Sequence, residues 1–404
     1  MYFGLADEEG PRPDRAEHMR GYMDCTNNAP YLSVVVSSRN DNYGGNMQRI
    51  MQTSLDSLIM QLEGYKLESE IILVDYNPPF DKPLLKDALT WPAQTQYCTI
   101  RTIIIPFKFH KRNKDWEKVP MSPPLAQNIG VSRSRGQFVL TTPIDILFPN
   151  EVVEFIAHRK LEEDKFYRTD RIDLKDGVLE KSTLEERLAF CRRNGAWVST
   201  RFGIVPFLKH KKSLRSRTLR FSGKHPKKGD IMRLHFNGGD LTLMSREAWF
   251  GLRGWSEVTT WGNADEVFLY AGAYLRGLKE EMLPEPCYVY HIFHESRWKV
   301  TDVPGVLTKV FFYCFPARIA IKLNVVKWKI RGILRSVLLG EKTKLDKLGV
   351  EYFSRDELKE ILMKMLRGEE VKVRNDSDWG LGDEDLKEHF ICKAWWEKSR
   401  GERR

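Results

Sequence analysis

Apolar positions along the chain fall into two rhythms. Three short stretches in the first 106 residues carry almost continuous apolar runs: 31–37 with Leu32-Ser33-Val34-Val35-Val36, 70–75 with Ile71-Ile72-Leu73-Val74, and 99–106 with Ile103-Ile104-Ile105. Runs this short and this rich in β-branched residues read as strands buried on both faces, the habit of a parallel sheet. Between the first two, apolar residues return at helical spacing over 47–62 and predict an amphipathic helix. A further helix is expected over 124–132, with 133–136 as its C-cap, and a strand over 137–142. Farther on, a short helix follows Ser245, an apolar helix opens at Ala264, and a strand covers 288–294. Residues 355–367 read as a helix capped by Ser354, with Glu357 completing a Ser-x-x-Glu box. Apolar strands alternating with helices imply crossover connections and a doubly wound α/β sheet.

Such sheets bind ligands beyond the carboxyl ends of their strands. Those ends carry Ser37, Arg39 and Asp41 after the first strand, and Asp75 and Asn77 after the second. An aspartate there can accept from a base imide or a ribose hydroxyl, and an arginine can neutralise phosphate. No Gly-x-Gly-x-x-Gly follows the first strand and no P-loop occurs, so the two commonest phosphate-cradling motifs are excluded.

The stretch 237–294 has the densest chemistry. It runs from a Gly238-Gly239-Asp240 turn through Arg253-Gly254-Trp255 and Trp261-Gly262 to the pair Asp265-Glu266 at a helix start. It ends on His291 and His294. Acids at a helix start are also explained as caps, because the free N–H groups and the dipole favour them there.

This order resembles the acceptor side of GT-A fold glycosyltransferases, closest to the β-1,4-galactosyltransferase and chondroitin-synthase type. The opening, Ser-Val-Val-Val-Ser-Ser-Arg-Asn-Asp followed by Glu-Ile-Ile-Leu-Val-Asp-Tyr-Asn-Pro-Pro, is similar to the broad family-2 type. The resemblance covers about 31–295. It implies an α/β GT-A fold, Rossmann-like, with a mostly parallel sheet flanked by helices. By position, Ser37, Arg39, Asp41, Asp75, Asn77 and Asn128 would hold the nucleotide. Asp145 with His291 and His294 would hold a divalent ion, Mn or Mg, since hard oxygen ligands suit either. Gly239, Asp240 and Trp261 would line the acceptor, and Asp265 or Glu266 would deprotonate its hydroxyl. Two departures matter. Pro143 replaces the first acid of the family's Asp-x-Asp, which leaves metal dependence open. Asn263-Ala264 stands where the family often has Gly-Gly or Gly-Glu, which leaves open which acid is the base.

The chain is 404 residues long, which suggests one large domain with an appendage: an arm over 1–30, the glycosyltransferase domain over 31–300, and a basic, helical, amphipathic extension over 301–404. The formal net charge of +10 suits nucleotide phosphates, anionic lipid or nucleic acid without choosing among them. Six scattered cysteines without a Cys-x-x-Cys suggest buried thiols in a reducing compartment. Nine basic residues fall within 205–230 before the first acid, either as a solvated loop or as an anion-binding lid. In 306–340 basic residues break every apolar run, which fits equally a helix pair packed on the domain and a surface held on anionic lipid. The expectation is a cytoplasmic transferase, peripheral on the membrane. It would use a UDP- or GDP-sugar, a glycan or lipid-linked acceptor, and no nucleic acid. Transfer with inversion is favoured, because a base opposite the leaving nucleotide inverts the anomeric centre. The alternatives are a nucleotidyltransferase of the sugar-nucleotide type and, outside the enzymes, a basic nucleic-acid-binding protein. The first lacks its Gly-rich basic signature, and the second lacks an RNA-recognition or zinc-finger pattern.

Overall fold

The computed structural model describes residues 29–200, 203–207, 240–258, 264–294, 353–369 and 371–397, with isolated positions at 319, 323 and 326. The arm over 1–28, the basic stretch over 208–230, Gly239, Trp261 and nearly all of 306–340 lie outside the described residues.

The first half alternates as expected: β1 (Leu32–Ser38), α1 (Met47–Gly64), β2 (Ser69–Tyr76), β3 (Cys98–Ile105), α2 (Pro123–Ser132) and β4 (Phe138–Pro143). Then follow β5 (Ile146–Leu147), α3 (Asn150–Ala157), β6 (Lys165–Arg168), β7 (Arg171–Leu174), α4 (Leu184–Arg193), β8 (Gly195–Thr200) and β9 (Gly203–Pro206). The remainder is β10 (Thr242–Ser245), α5 (Arg246–Leu252), α6 (Ala264–Leu275), β11 (Lys279–Met282), β12 (Val289–His291), α7 (Arg355–Arg367) and β13 (Glu388–Cys392).

Among the described residues the main sheet has the order β11-β6-β10-β4-β1-β2-β3-β13. Its centre, β4-β1-β2-β3, is parallel. β10 runs antiparallel between β4 and β6. The mostly parallel α/β sheet flanked by helices is therefore present. Period-two alternation fills both of its faces. Val34, Val36, Ile71 and Leu73 enter the core shared with α1, and Val35, Ile72 and Val74 enter the core shared with α2, α5 and α6. Helix α2 lies close on the sheet because Gly130 has no side chain. A Cβ there would sit 2.3 Å from Val35 Cγ1.

Two features depart from the sequence pattern. A second sheet, β5-β12-β7-β8-β9, stands beside the first. Residues 167–173 read as either a strand end or a surface ion cluster. They are a strand end, the β6–β7 corner, with Arg168, Thr169, Asp170 and Asp173 buried rather than on the surface. The C-terminal extension also includes a strand. β13 pairs antiparallel with β3 and becomes an edge of the main sheet. A buried charge network ties that edge down. Glu70 accepts from Arg101 Nε at 3.0 Å, and Arg101 Nη1 reaches Glu388 at 2.7 Å. Arg135 bridges Glu70 to Glu397. Helix α7 carries the expected Ser354–Glu357 capping box. No helix among the described residues is long and apolar enough to cross a membrane.

Candidate active site

The carboxyl ends of β1 and β2 open into a cleft of about 450 Å³. Arg39, Asp41 and Asn77 line one side, and Phe107, His110, Trp116 and Lys118 the other, with Tyr43 at the end. Arg39 is braced within this wall. Its Nε donates to the Asn77 carbonyl and its Nη1 to Asp41 Oδ2, each at 3.1 Å. Asn77 ends β2 in the left-handed region at φ 48°, a conformation asparagine tolerates, and its Nδ2 donates to the Pro120 carbonyl. Ser37 is buried at the end of β1 and accepts from Gln127 Nε2 at 3.3 Å.

Asp75 is 1% exposed. One carboxylate oxygen accepts from the Leu85 amide at 2.8 Å, and the other, Oδ1, is buried with no partner. Burial pushes this carboxyl up to about 6, against the Leu85 amide and Arg39, which pull it down. Aromatic side chains in and beside the basic loop over 108–118 also line the cleft. Phe107 meets Trp116 edge-on at 5.6 Å, and Phe80, almost fully exposed, meets Phe107 at 5.9 Å. The alternation of Phe107, Phe109, His110 and Trp116 with lysines was their available signal.

Beside the cleft, Asp145, His291 and His294 bring one ligand atom each within 4.8 Å of one another. Asp145 lies just beyond β4, His291 closes β12, and His294 lies three residues farther on. Asp145 Oδ2 is 3.0 Å from His294 Nε2 and 3.4 Å from His291 Nε2. Burial alone would raise the Asp145 carboxyl, but the two imidazoles outweigh it and hold it well below the usual range. Burial would lower His291, yet Asp145, with Asp173 behind the ring, pushes it up to about 9.

The residues present fit a divalent ion. Asp145 Oδ1 and His294 Nδ1 are buried without partners among the described residues, so the cluster is left short of bonds in a place where bare polar atoms are costly. Two imidazoles and one carboxylate suit Mn²⁺ or another transition ion better than Mg²⁺, which prefers oxygen. The acid missing at Pro143 is thus answered by two nitrogens from the far end of the domain.

Two of the expected binding residues make bonds within the fold. Asn128 does not face the cleft. Its Oδ1 accepts from Trp255 N at 2.7 Å, and its Nδ2 donates to the Trp255 carbonyl at 2.7 Å and to Glu257 Oε1 at 2.6 Å. Its amide is used up fastening the 255–257 loop. Asp240 is likewise engaged, since both its carboxylate oxygens accept from Arg171 Nη1, at 2.9 and 3.1 Å.

Asp265 and Glu266 occupy the first turn of α6. Asp265 Oδ1 is buried without a partner among the described residues, and burial together with the Glu266 charge raises its pKa well above the carboxylate range. The carboxylate is also drawn to the Asp265 and Glu266 amides, as a helix cap is. The Glu266 charge acts on buried Arg168, which stacks 4.2 Å over Tyr270, one turn along the same helix.

No family model and no curated protein matches this chain. Among solved structures it is similar to S. aureus TarS. Against TarS residues 1–349 the identity is 16% and the TM-score 0.38, over 65% of this chain and 60% of that one. Against the same protein in complex with UDP-GlcNAc the values are 13% and 0.39, over 78% of each chain. Against its UDP complex they are 14% and 0.36, over 65% and 60%. Similarity this loose assigns neither a substrate nor a residue role.

Proposed function

We propose that the protein is a sugar-nucleotide-dependent glycosyltransferase of the GT-A type. The observation that carries this reading is the sharing of Tyr43. Tyr43 lines the cleft, and its ring meets His294 edge-on at 5.8 Å. A nucleoside seated in the cleft therefore directs its phosphates toward Asp145, His291 and His294. That is the arrangement a nucleoside diphosphate leaving group requires, because its negative charge grows in the transition state.

In this scheme Asp75 accepts a base or ribose proton at its unpartnered Oδ1, Arg39 faces the phosphates, and the aromatic residues of the cleft cover the base. An ion held by Asp145, His291 and His294 would supply positive charge at the diphosphate. Asp265 or Glu266 takes the proton of the acceptor hydroxyl. With that acid on the face opposite the leaving nucleotide, the anomeric centre inverts. A glycan or lipid-linked acceptor and a peripheral place on the membrane follow from the basic amphipathic character of 306–340.

A thermal-shift panel of nucleoside diphosphates, with and without Mn²⁺, tests the reading, because a ligand of the native state raises the melting temperature by mass action. A shift with UDP or GDP that grows when Mn²⁺ is present is expected. Silence across the panel would sink it. Release of nucleoside diphosphate rather than pyrophosphate separates the transferase from a nucleotidyltransferase.

A further inference from the structure

Behind the candidate metal cluster lies a chain of buried charges that the reaction scheme does not use. β7 and β12 are parallel neighbours, and their register places Asp173 directly beside His291. His291 Nδ1 is 3.1 Å from Asp173 Oδ1, near enough to pair though off the line of a well-formed hydrogen bond. The opposite ring nitrogen, Nε2, faces Asp145. Asp173 is itself held. Arg171 Nε lies 3.1 Å from Oδ1, and Ser199 Oγ donates to Oδ2 at 3.4 Å. Arg171 is anchored in turn by its paired bonds to Asp240.

An imidazole between two carboxylates has its tautomer and tilt set by whichever acid is more firmly fixed. Asp173 is fixed by an arginine, and Asp145 has an oxygen with no partner. We propose that Asp173 is a positioning residue. It holds Nδ1–H of His291 so that Nε2 presents its lone pair to the ion, and Arg171 with Asp240 keeps Asp173 in place. This rests on the metal reading above and adds to it the residues that determine how tightly the ion is held.

The test is a Mn²⁺ titration of the full chain, with free ion followed by electron paramagnetic resonance and folding checked by melting temperature in chelator. Replacing an acid behind a metal-bound histidine lowers affinity by about 10–100-fold. Asp173→Ala should fall toward the upper end. Asp173→Asn, which keeps the shape and an acceptor oxygen, should fall toward the lower end and serves if the alanine variant does not fold. A residue that only braces the strands would weaken binding whether or not His291 were present. Asp173→Asn added to His291→Ala should therefore cost nothing further, because the aspartate acts through the ring. If the wild type takes up no Mn²⁺, the metal reading falls and this assignment with it. If the wild type binds Mn²⁺ and Asp173→Asn binds it equally, or the two substitutions add, the metal reading stands and the positioning role is overturned.

Discussion

Asp75→Asn should gain stability relative to the ligand-free wild type as pH rises and at the same time weaken nucleotide binding. Asp75 is raised from 3.8 to about 6 by burial, with one oxygen satisfied and the other bare. A raised acid keeps its proton in the fold at pH values where the unfolded chain has released it. The folded state then binds more protons between pH 3.8 and about 6, so stability falls as pH climbs through that window and the full penalty stands above it. The interval corresponds to about 3 kcal/mol, of which about 2 kcal/mol develops between pH 4.5 and 7.5. Asparagine cannot ionise and removes the whole of this pH dependence. It does leave an amide N–H where Oδ1 now lacks a partner, at about 1–3 kcal/mol, but that cost is the same at every pH.

The measurement is urea unfolding of both proteins at pH 4.5 and 7.5. The stability of the variant relative to wild type should improve by about 2 kcal/mol across that range. Calorimetric titration with UDP and GDP should show binding weakened at least about tenfold, the value of one lost hydrogen bond to a charged acceptor. A stability difference that stays flat with pH would mean that Asp75 is not held above its ordinary value. Unchanged nucleotide affinity would mean that its open oxygen faces no ligand.

Mn²⁺ affinity should rise with pH up to about 9, because His291 carries a proton below that value and must release it to coordinate, while Asp145 stays ionised throughout. A flat profile between pH 6.5 and 9 in the paramagnetic resonance titration would contradict the protonated imidazole. Of Asp265→Asn and Glu266→Gln, at least one should lower kcat by about 10²–10⁴-fold with nucleotide binding intact, the usual contribution of a general base. Two mild variants would end the base assignment. Liposome flotation should show binding to anionic and not to neutral vesicles at low salt, since each basic side chain of 306–340 near such a surface contributes on the order of 1 kcal/mol. Equal binding to both, or none, would leave that segment as a packing element.

The central sheet was legible because its strands are apolar on both sides, and β1, β2 and β3 fall within a residue or two of their expected bounds. The second sheet was hidden for the opposite reason. β7 buries Asp173 and half-buries Arg171, and a strand that buries charge reads as surface until the partner charges are in place. One signal was available. In Arg171-Ile172-Asp173 the charges share one face and the isoleucine takes the other, the period of a strand. Asn128 misled because its place in the helix was informative while its amide had already been used to fasten Trp255 and Glu257. The turn-rich segment over 375–382 carries no periodic signal, and its packing shows only in the fold. Trp379 is buried against Phe250, and Asn375 and Gly380 bond the 255–257 loop, so the C-terminal segment fastens that loop.

Strand β2 carries two buried carboxylates five residues apart, and their difference is the strongest physical pointer to which end of the sheet works. Glu70, at the amino end, accepts from Ser33, Arg101 and Arg135, including the Arg135 amide, so neither oxygen lacks a partner. Burial alone would raise it, but the two guanidinium groups hold it well below the usual carboxylate range. Asp75, at the carboxyl end, has one amide and a more distant arginine, and it remains raised. Both acids are shielded by the same sheet, so burial does not separate them. Partners do. A chain that surrounds one buried acid with arginines and leaves the other half bare is spending stability at the second position. The bare oxygen lies at the carboxyl ends of parallel strands, where the connections leave a crevice and ligands gather. Glu70 anchors the edge strand β13 through Arg101, whereas Asp75 keeps one buried oxygen without a partner among the described residues.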